Sequence, residues 1–215
     1  MDEVRLEALR REYAERGLEP SDLGPTWLDT FQRWLADAVA AALPEPNAMV
    51  VATATTAGSP SVRTVLLKAV DPEGFVFYTN LDSRKGAELR ANPVAAALFP
   101  WHPLERQVRV EGIVSFVDRD AVQAYFDSRP RPAQLAAWAS PQSAVLAGRD
   151  QLDTAFAKMQ VRFAGQDRIP APDHWGGVRI APTSVEFWQG RASRLHDRLR
   201  YRHDAAGWVV ERLAP

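Results

Sequence analysis

Two periodicities divide the chain. Residues 2–16 form a charged segment with Leu6, Leu9 and Tyr13 at helical spacing, and Gly17 stops it. After the loop "LEPSDLGP", a second helix is predicted to start near Pro25 and Thr26 and to pack one face through Leu28, Phe31, Leu35, Val39 and Ala42. The period then shortens. Residues 48–55, 61–70 and 74–80 are rich in β-branched and aromatic residues, and the turn signals "AGSP" and "DPEG" separate them. A helix capped by Ser83 runs to Asn92-Pro93, followed by strands over 94–101 and 106–117. In the longer strand Val108, Val110, Val114 and Phe116 share one face, and Gln107, Arg109 and Glu111 the other. Helices over 119–128, 131–138 and 148–164 come next. Strands return in "GVRIAP", "SVEFWQG", "RLRYRHDA" and "WVVERL", with "HDAAGW" as a hairpin turn. Blocks of antiparallel strands and blocks of helices predict an α+β fold. So many strands are expected to curl into a barrel, which removes exposed edges.

Composition narrows the function. With 215 residues, 46% hydrophobic and 25% charged, the chain suits one large globular domain. A net charge of −1 gives no general pull toward nucleic acid or an acidic membrane, so any anion site is local. The absence of cysteine excludes disulfides, thiol catalysis and cysteine-ligated metals. The beginning "MDEVRLEALRREY" is charged from its second residue, and no apolar run approaches the roughly 20 residues of a bilayer span. A cytoplasmic protein without membrane or nucleic-acid partners is expected.

Cations gather in four places. In "RTVLLK" an arginine and a lysine bracket an apolar strand, Arg63, Val65 and Leu67 on one face and Thr64, Leu66 and Lys68 on the other. In "YTNLDSRKGAEL" a strand leads through Ser83 to Arg84 and Lys85 at a helix N-terminus, where free N–H groups favour a phosphate. In "YFDSRPR" Tyr125 and Arg129 stand four apart on one helix face, a phenol and a guanidinium converging. In "EFWQGRASRLHDR" Arg194, His196 and Arg198 alternate along a predicted extended segment, so all three face one way and need an anion or an electron-rich ring opposite; Arg191 is expected in solvent. Each cluster also has a plainer reading as a solvated strand end, turn or helix terminus. The four histidines show no paired ligand spacing, and neither a GxGxxG nor a Walker motif is present, so metal and Rossmann or P-loop nucleotide sites are not expected. The pattern suggests one or two phosphorylated small molecules.

These residues carry a resemblance. "FWQGRASRLHDR", together with "RREY", "AMVVAT", "FYTNL.SRK", "LFPW", "LERQV", "YF.SRPR", "QS", "WGG.R" and the ending "RLAP", resembles the pyridoxine (pyridoxamine) 5′-phosphate oxidase family in order over nearly the whole chain. The resemblance implies an FMN-binding antiparallel split β-barrel with flanking helices over 21–215, preceded by an N-terminal helical segment, 1–20, that serves as a substrate lid. It implies a homodimer with the site at the subunit interface. FMN would be held by Arg63, Thr64, Val65, Leu66, Leu67, Lys68, Tyr78, Thr79, Arg84, Lys85, Gln107, Gln142 and Ser143, with Trp188 and Arg198 from the other subunit. The substrate would meet Lys68, Tyr125 and Arg129 with its phosphate, Arg194 and His196 with its ring, and Arg10 and Tyr13 from the lid. Arg194 and His196 are the catalytic pair it implies.

One position departs from the family. Ala133 stands where the family commonly has a serine on the substrate phosphate. A hydrogen bond to a charged group contributes roughly 1.5–3 kcal/mol, so the change weakens substrate affinity by about tenfold unless another donor replaces it. The implied reaction is oxidation of pyridoxamine or pyridoxine 5′-phosphate at C4′ to pyridoxal 5′-phosphate, with dioxygen reduced to hydrogen peroxide. The alternatives are a related split-barrel flavin oxidase of the phenazine type, and a non-catalytic flavin or pyridoxal-phosphate binding protein.

Overall fold

The structure, a computed structural model, describes residues 12–13 and 17–215. The helix expected over 2–16, the lid it would form and Arg10 lie outside the described residues, save Glu12 and Tyr13. Five helices are described: α1 (Trp27–Ala40), α2 (Arg84–Ala91), α3 (Arg119–Asp127), α4 (Arg131–Ala139) and α5 (Arg149–Arg162). The nine strands are β1 (Ala48–Ala54), β2 (Pro60–Leu66), β3 (Ala69–Asp71), β4 (Gly74–Asn80), β5 (Val94–Trp101), β6 (Arg106–Phe116), β7 (Trp175–Gln189), β8 (Asp197–Asp204) and β9 (Gly207–Leu213). They join in the order β2-β1-β5-β6-β7-β4-β3, with β8 on β7 and β9 on β8. The expected α+β class is seen. The chain forms two compact units, one from Met1–Asn47, Leu98–Val110 and Thr183–Pro215, the other from Ala48–Ala97 and Glu111–Pro182.

The first unit is built on α1. Thr26 and Asp29 form a reciprocal capping box that fixes the helix start. Its buried stripe is Trp27, Thr30, Phe31, Trp34 and Ala38. The expected stripe is therefore rotated: Phe31 is shared, but Val39 is 59% exposed. The two tryptophans bury more apolar surface than Leu35 and Val39 and set the helix's rotation. Phe31 meets Phe99 at 4.9 Å, and Trp34 meets Phe187 edge-on at 5.1 Å. The Arg106 guanidinium covers the Trp34 ring at 4.3 Å and pairs with Asp37 at 2.6 Å.

The second unit holds the β1–β2 hairpin, β3, β4 and the helices α2 to α5. Strand β4 is buried along nearly its whole length, with β3 and the first half of β7 paired at its two edges. The predicted strand over 61–70 is two strands. It breaks at Leu67 and Lys68, where Leu67 turns into the core and the Lys68 N–H donates to the Val76 carbonyl. The two C-terminal strands expected over 177–190 are instead one, β7. Its first half pairs with β4 (Tyr78 opposite Gly177) and its second with β8 (Trp188 opposite Arg198), so Pro182 falls where the partner changes rather than at a strand end. Phe116, expected on the core face of β6, is 43% exposed at the strand's last position.

Candidate functional site

In the second unit β2, β4, α2, α3 and the chain around α4 enclose a cavity of about 710 Å³, within the range that takes a drug-sized ligand. Four cations line it, Arg63, Lys68, Lys85 and Arg129, and no carboxylate does among the described residues. The remaining wall includes Thr64, Val65 and Leu66 of β2, Tyr78, Thr79 and Asn80 of β4, Tyr125, Ser140, Gln142 and Trp175.

Each cation is set by local structure. Ser83 caps α2, its hydroxyl donating to the Asn80 carbonyl at 2.6 Å. A Cβ at Gly86 would stand 2.0 Å from the Leu81 carbonyl oxygen, so only glycine lets the first turn of α2 close on the end of β4. That turn buries Lys85, whose ammonium donates to Gln142 Oε1 at 2.8 Å, Thr79 Oγ1 at 3.1 Å and Ser83 Oγ at 3.3 Å. All three acceptors are neutral. Burial, with the nearby Arg63 charge, lowers its pKa from 10.5 to about 8.

Arg63 Nη1 donates to the Val51 carbonyl and Thr53 Oγ1, and Nη2 to Ser61 Oγ and Glu88 Oε2. Glu88 itself is buried. Burial alone would raise its carboxyl, but hydrogen bonds from Ser61, Thr53 and Arg84 outweigh this and hold it at about 2.

Arg129 sits just past the end of α3, with its guanidinium 4.7 Å from the Trp175 ring centre and 5.5 Å from that of Phe126. Its Nη1 is buried and has no hydrogen-bond partner among the described residues. Burial lowers its pKa from the ordinary value, with Tyr125 opposing. Tyr78 stacks on Tyr125 at 4.0 Å, and Trp175 lies nearly parallel to both, giving the wall a flat aromatic face. An orphaned guanidinium donor, a buried ammonium without an acid and a planar wall fit a phosphorylated planar ligand. Lys85 and Tyr78, expected for FMN, fit that group, and Arg129 and Tyr125, expected for the substrate, fit a second phosphate on the same wall.

A second cluster lies in the first unit, where β7 and β8 pair. Trp188 and His196 lie 4.6 Å apart, and Tyr13 packs edge-on to both, at 5.8 and 5.6 Å. A Cβ on Gly190 would stand 2.8 Å from Tyr13 Cγ and 3.1 Å from Glu105 Cβ, so the missing side chain is what seats the tyrosine. His196 Nδ1 accepts the Arg191 N–H at 3.1 Å, so the neutral ring carries its proton on Nε2.

The expected alternation of Arg194, His196 and Arg198 on one extended face is not seen. Ser193 and Arg194 take left-handed φ of 57° and 61°, and β8 begins only at Asp197. Of the three, Arg198 has its charge taken up by an acid. Arg198 makes a two-point pair with Glu186 at 2.8 and 3.0 Å, which raises its pKa. Arg191, expected in solvent, is half-buried and pairs with Asp197 at 3.5 Å.

Of the expected residues, the cavity brings together Arg63, Thr64, Val65, Leu66, Lys68, Tyr78, Thr79, Lys85, Tyr125, Arg129 and Gln142. Leu67 is buried in the core instead, and Arg84 and Ser143 line an adjoining recess. Gln107, Trp188, Arg194, His196, Arg198 and Tyr13 belong to the first unit and do not line the cavity. Sequence reasoning missed Trp175, Asn80, Ser140 and Glu88 as site residues. For Trp175 the signal was an aromatic residue directly before the paired Gly176-Gly177.

Residues 35–163 match the pyridoxamine 5′-phosphate oxidase family, and residues 175–215 match the pyridoxine 5′-phosphate oxidase C-terminal dimerisation region. A pyridoxine/pyridoxamine 5′-phosphate oxidase of Salinispora arenicola is 58% identical over 96% of this chain and 95% of its own. One from a Nocardioides species is 53% identical over the full length of both. Among solved structures, PhzG from Burkholderia lata, in complex with tetrahydrophenazine-1-carboxylic acid, superposes with a TM-score of 0.86 at 31% identity, covering 94% of this chain and 99% of that one. That likeness carries the fold class expected from the sequence, a split barrel with flanking helices. On the match over 35–163 and the full-length identities, this chain belongs to the pyridoxamine 5′-phosphate oxidase family.

Proposed function

We propose that this protein is a cytoplasmic, homodimeric, FMN-dependent oxidase of pyridoxamine and pyridoxine 5′-phosphate. The observation that carries the reading is the acid-free cationic cavity with a buried, unpartnered Arg129 Nη1. Identity of 58% to a named oxidase favours the vitamin B6 substrate over the phenazine type, whose solved relative is 31% identical. The match to a dimerisation region supports the homodimer, with the site completed at its interface. No helix among the described residues is long and apolar enough to cross a membrane.

Arg63, Thr64, Val65, Leu66, Lys68, Tyr78, Thr79, Arg84, Lys85, Gln107, Gln142 and Ser143 hold the flavin from one subunit, and Trp188 and Arg198 from the other subunit add contacts. FMN, when bound, would supply the two-electron chemistry for oxidation at C4′ with dioxygen as acceptor, giving hydrogen peroxide, and with the amine substrate water would hydrolyse the imine to release ammonia. Lys68, Tyr125 and Arg129 anchor the substrate phosphate, and Trp175 with the tyrosines offers a flat apolar wall. Arg194 stays cationic and covers the substrate ring. His196 offers its Nε2–H to a ring substituent, so its role is positioning rather than proton abstraction. Tyr13, seated against Trp188 and His196, adds a ring contact to the substrate. Anaerobic mixing of the purified yellow protein with pyridoxamine 5′-phosphate tests the reading. Loss of the flavin absorption, restored by air, is expected; an unchanged spectrum refutes it.

A further inference from the structure

Glu88 is buried and does not line the cavity, yet it pairs with two of the cations expected for FMN, Arg63 and Arg84. Its two oxygens are divided. Oε1 accepts Arg84 Nε at 2.8 Å, from the first turn of α2. Oε2 accepts Arg63 Nη2 at 3.4 Å, from β2, together with the Ser61 hydroxyl at 2.6 Å and the Thr53 hydroxyl. Arg63 is thereby held on both terminal nitrogens, and its Nε–H carries no bond among the described residues. Arg84 is 59% exposed and has Glu88 as its ion-pair partner.

We infer that Glu88 is a positioning residue that sets the spacing and aim of Arg63 and Arg84 toward the phosphate of the flavin cofactor. The inference rests on the flavin reading of the cavity. A carboxylate accepts on both oxygens, whereas an amide accepts on one side and donates on the other. Glutamine at this position therefore satisfies one arginine and turns an N–H against the other. The charge has a second effect. It offsets that of Arg63, so loss of Glu88 leaves both arginines without their shared ion-pair partner and without the spacing the carboxylate imposes.

The test compares FMN with riboflavin, which lacks the phosphate. Dissociation constants are read from flavin fluorescence quenching by the apoprotein of wild type, Glu88→Gln and Glu88→Ala, with thermal melts to confirm folding. Wild type is expected to prefer FMN. Glu88→Ala is expected to cut that preference by roughly tenfold or more and Glu88→Gln by an intermediate amount, with riboflavin binding nearly unchanged. If both ligands weaken equally, Glu88 is structural and the inference falls. It falls equally if the preference survives in both variants. If wild type does not prefer FMN, the flavin reading itself fails. Should Glu88→Ala not fold, Glu88→Gln decides by the same ratio.

Discussion

Replacing Arg129 with methionine separates a ligand-binding arginine from a structural one, because the first role predicts lost affinity at unchanged stability and the second lost stability at unchanged affinity. In the free protein its Nη1 is buried without a partner, at a cost of about 1–3 kcal/mol. The guanidinium recovers about 0.5–2 kcal/mol by lying over the Trp175 ring. Methionine has similar length, no polar atom and a sulfur that packs well against aromatic rings. The two terms nearly cancel, so Arg129→Met should change the stability of the ligand-free protein by less than about 1 kcal/mol in urea denaturation. The ligand tells a different story. A hydrogen bond from a charged donor to a phosphate is worth roughly 1.5–3 kcal/mol, or about 10- to 150-fold in affinity. The KM for pyridoxamine 5′-phosphate should therefore rise by about that factor. Affinity for pyridoxal 5′-phosphate, read by absorbance titration, should fall likewise, and that for unphosphorylated pyridoxal should stay the same. A variant that loses more than about 3 kcal/mol of stability while keeping its preference for the phosphorylated ligand would refute this reasoning.

Three further outcomes follow from the same geometry. Lys85 titrates near 8 in place of 10.5, so the unfolded chain binds its proton more tightly between those values; the penalty on the ligand-free fold is full below about pH 8 and is relieved as pH rises toward 10.5. An anion beside the ammonium raises its pKa again, so binding of inorganic phosphate or FMN at pH 8.5 should take up protons, seen calorimetrically in buffers of different ionisation heat and lost in Lys85→Met; no uptake in the wild type would contradict it. Arg194→Ala should lower turnover strongly with FMN still bound, and near-normal turnover would remove Arg194 from the site. Gly190→Ala places a methyl group against Tyr13 and should raise the KM for pyridoxamine 5′-phosphate several-fold without weakening FMN, as overpacking by one methyl costs about 1–3 kcal/mol locally; an unchanged KM would show that the seat of Tyr13 does not matter.

Local pattern made much of the architecture legible. The strands over 48–54, 74–80 and 94–101 follow from β-branched and aromatic runs between turn signals, and α2 from Ser83 and Asn92-Pro93. Long-range pairing decided the rest. The break after Leu66 depends on the Lys68 N–H finding the Val76 carbonyl, and the continuity of β7 on two different partners taking up its halves. Neither is written in the residues that undergo it. Glu88 was hidden for a similar reason. On α2 it reads as the exposed acid of an Arg84–Glu88 pair four residues apart, worth a few tenths of a kcal/mol. Its other partners, Ser61 and Thr53, lie 27 and 35 residues away on the β1–β2 hairpin and make it a buried acid.

The cation clusters show where sequence crowding misleads. The densest one, "EFWQGRASRLHDR", reads as three cations repelling on one face, yet the chain turns at Ser193 and Arg194, and Glu186 takes up Arg198. The sparse "YFDSR" holds the one guanidinium nitrogen left buried without a partner among the described residues. Neighbouring acids distinguish the two, and those arrive through strand pairing rather than through nearby sequence. Elsewhere, too, arginines have acids in contact, as in Arg179–Asp71, Arg106–Asp37 and Arg212–Asp197. Lys68, Lys85 and Arg129 have no ion pair among the described residues, and all three line one cavity. In a chain whose net charge is −1, that uncompensated trio is a local excess of positive charge, and its buried member, Lys85, gains most from an anionic ligand that completes it.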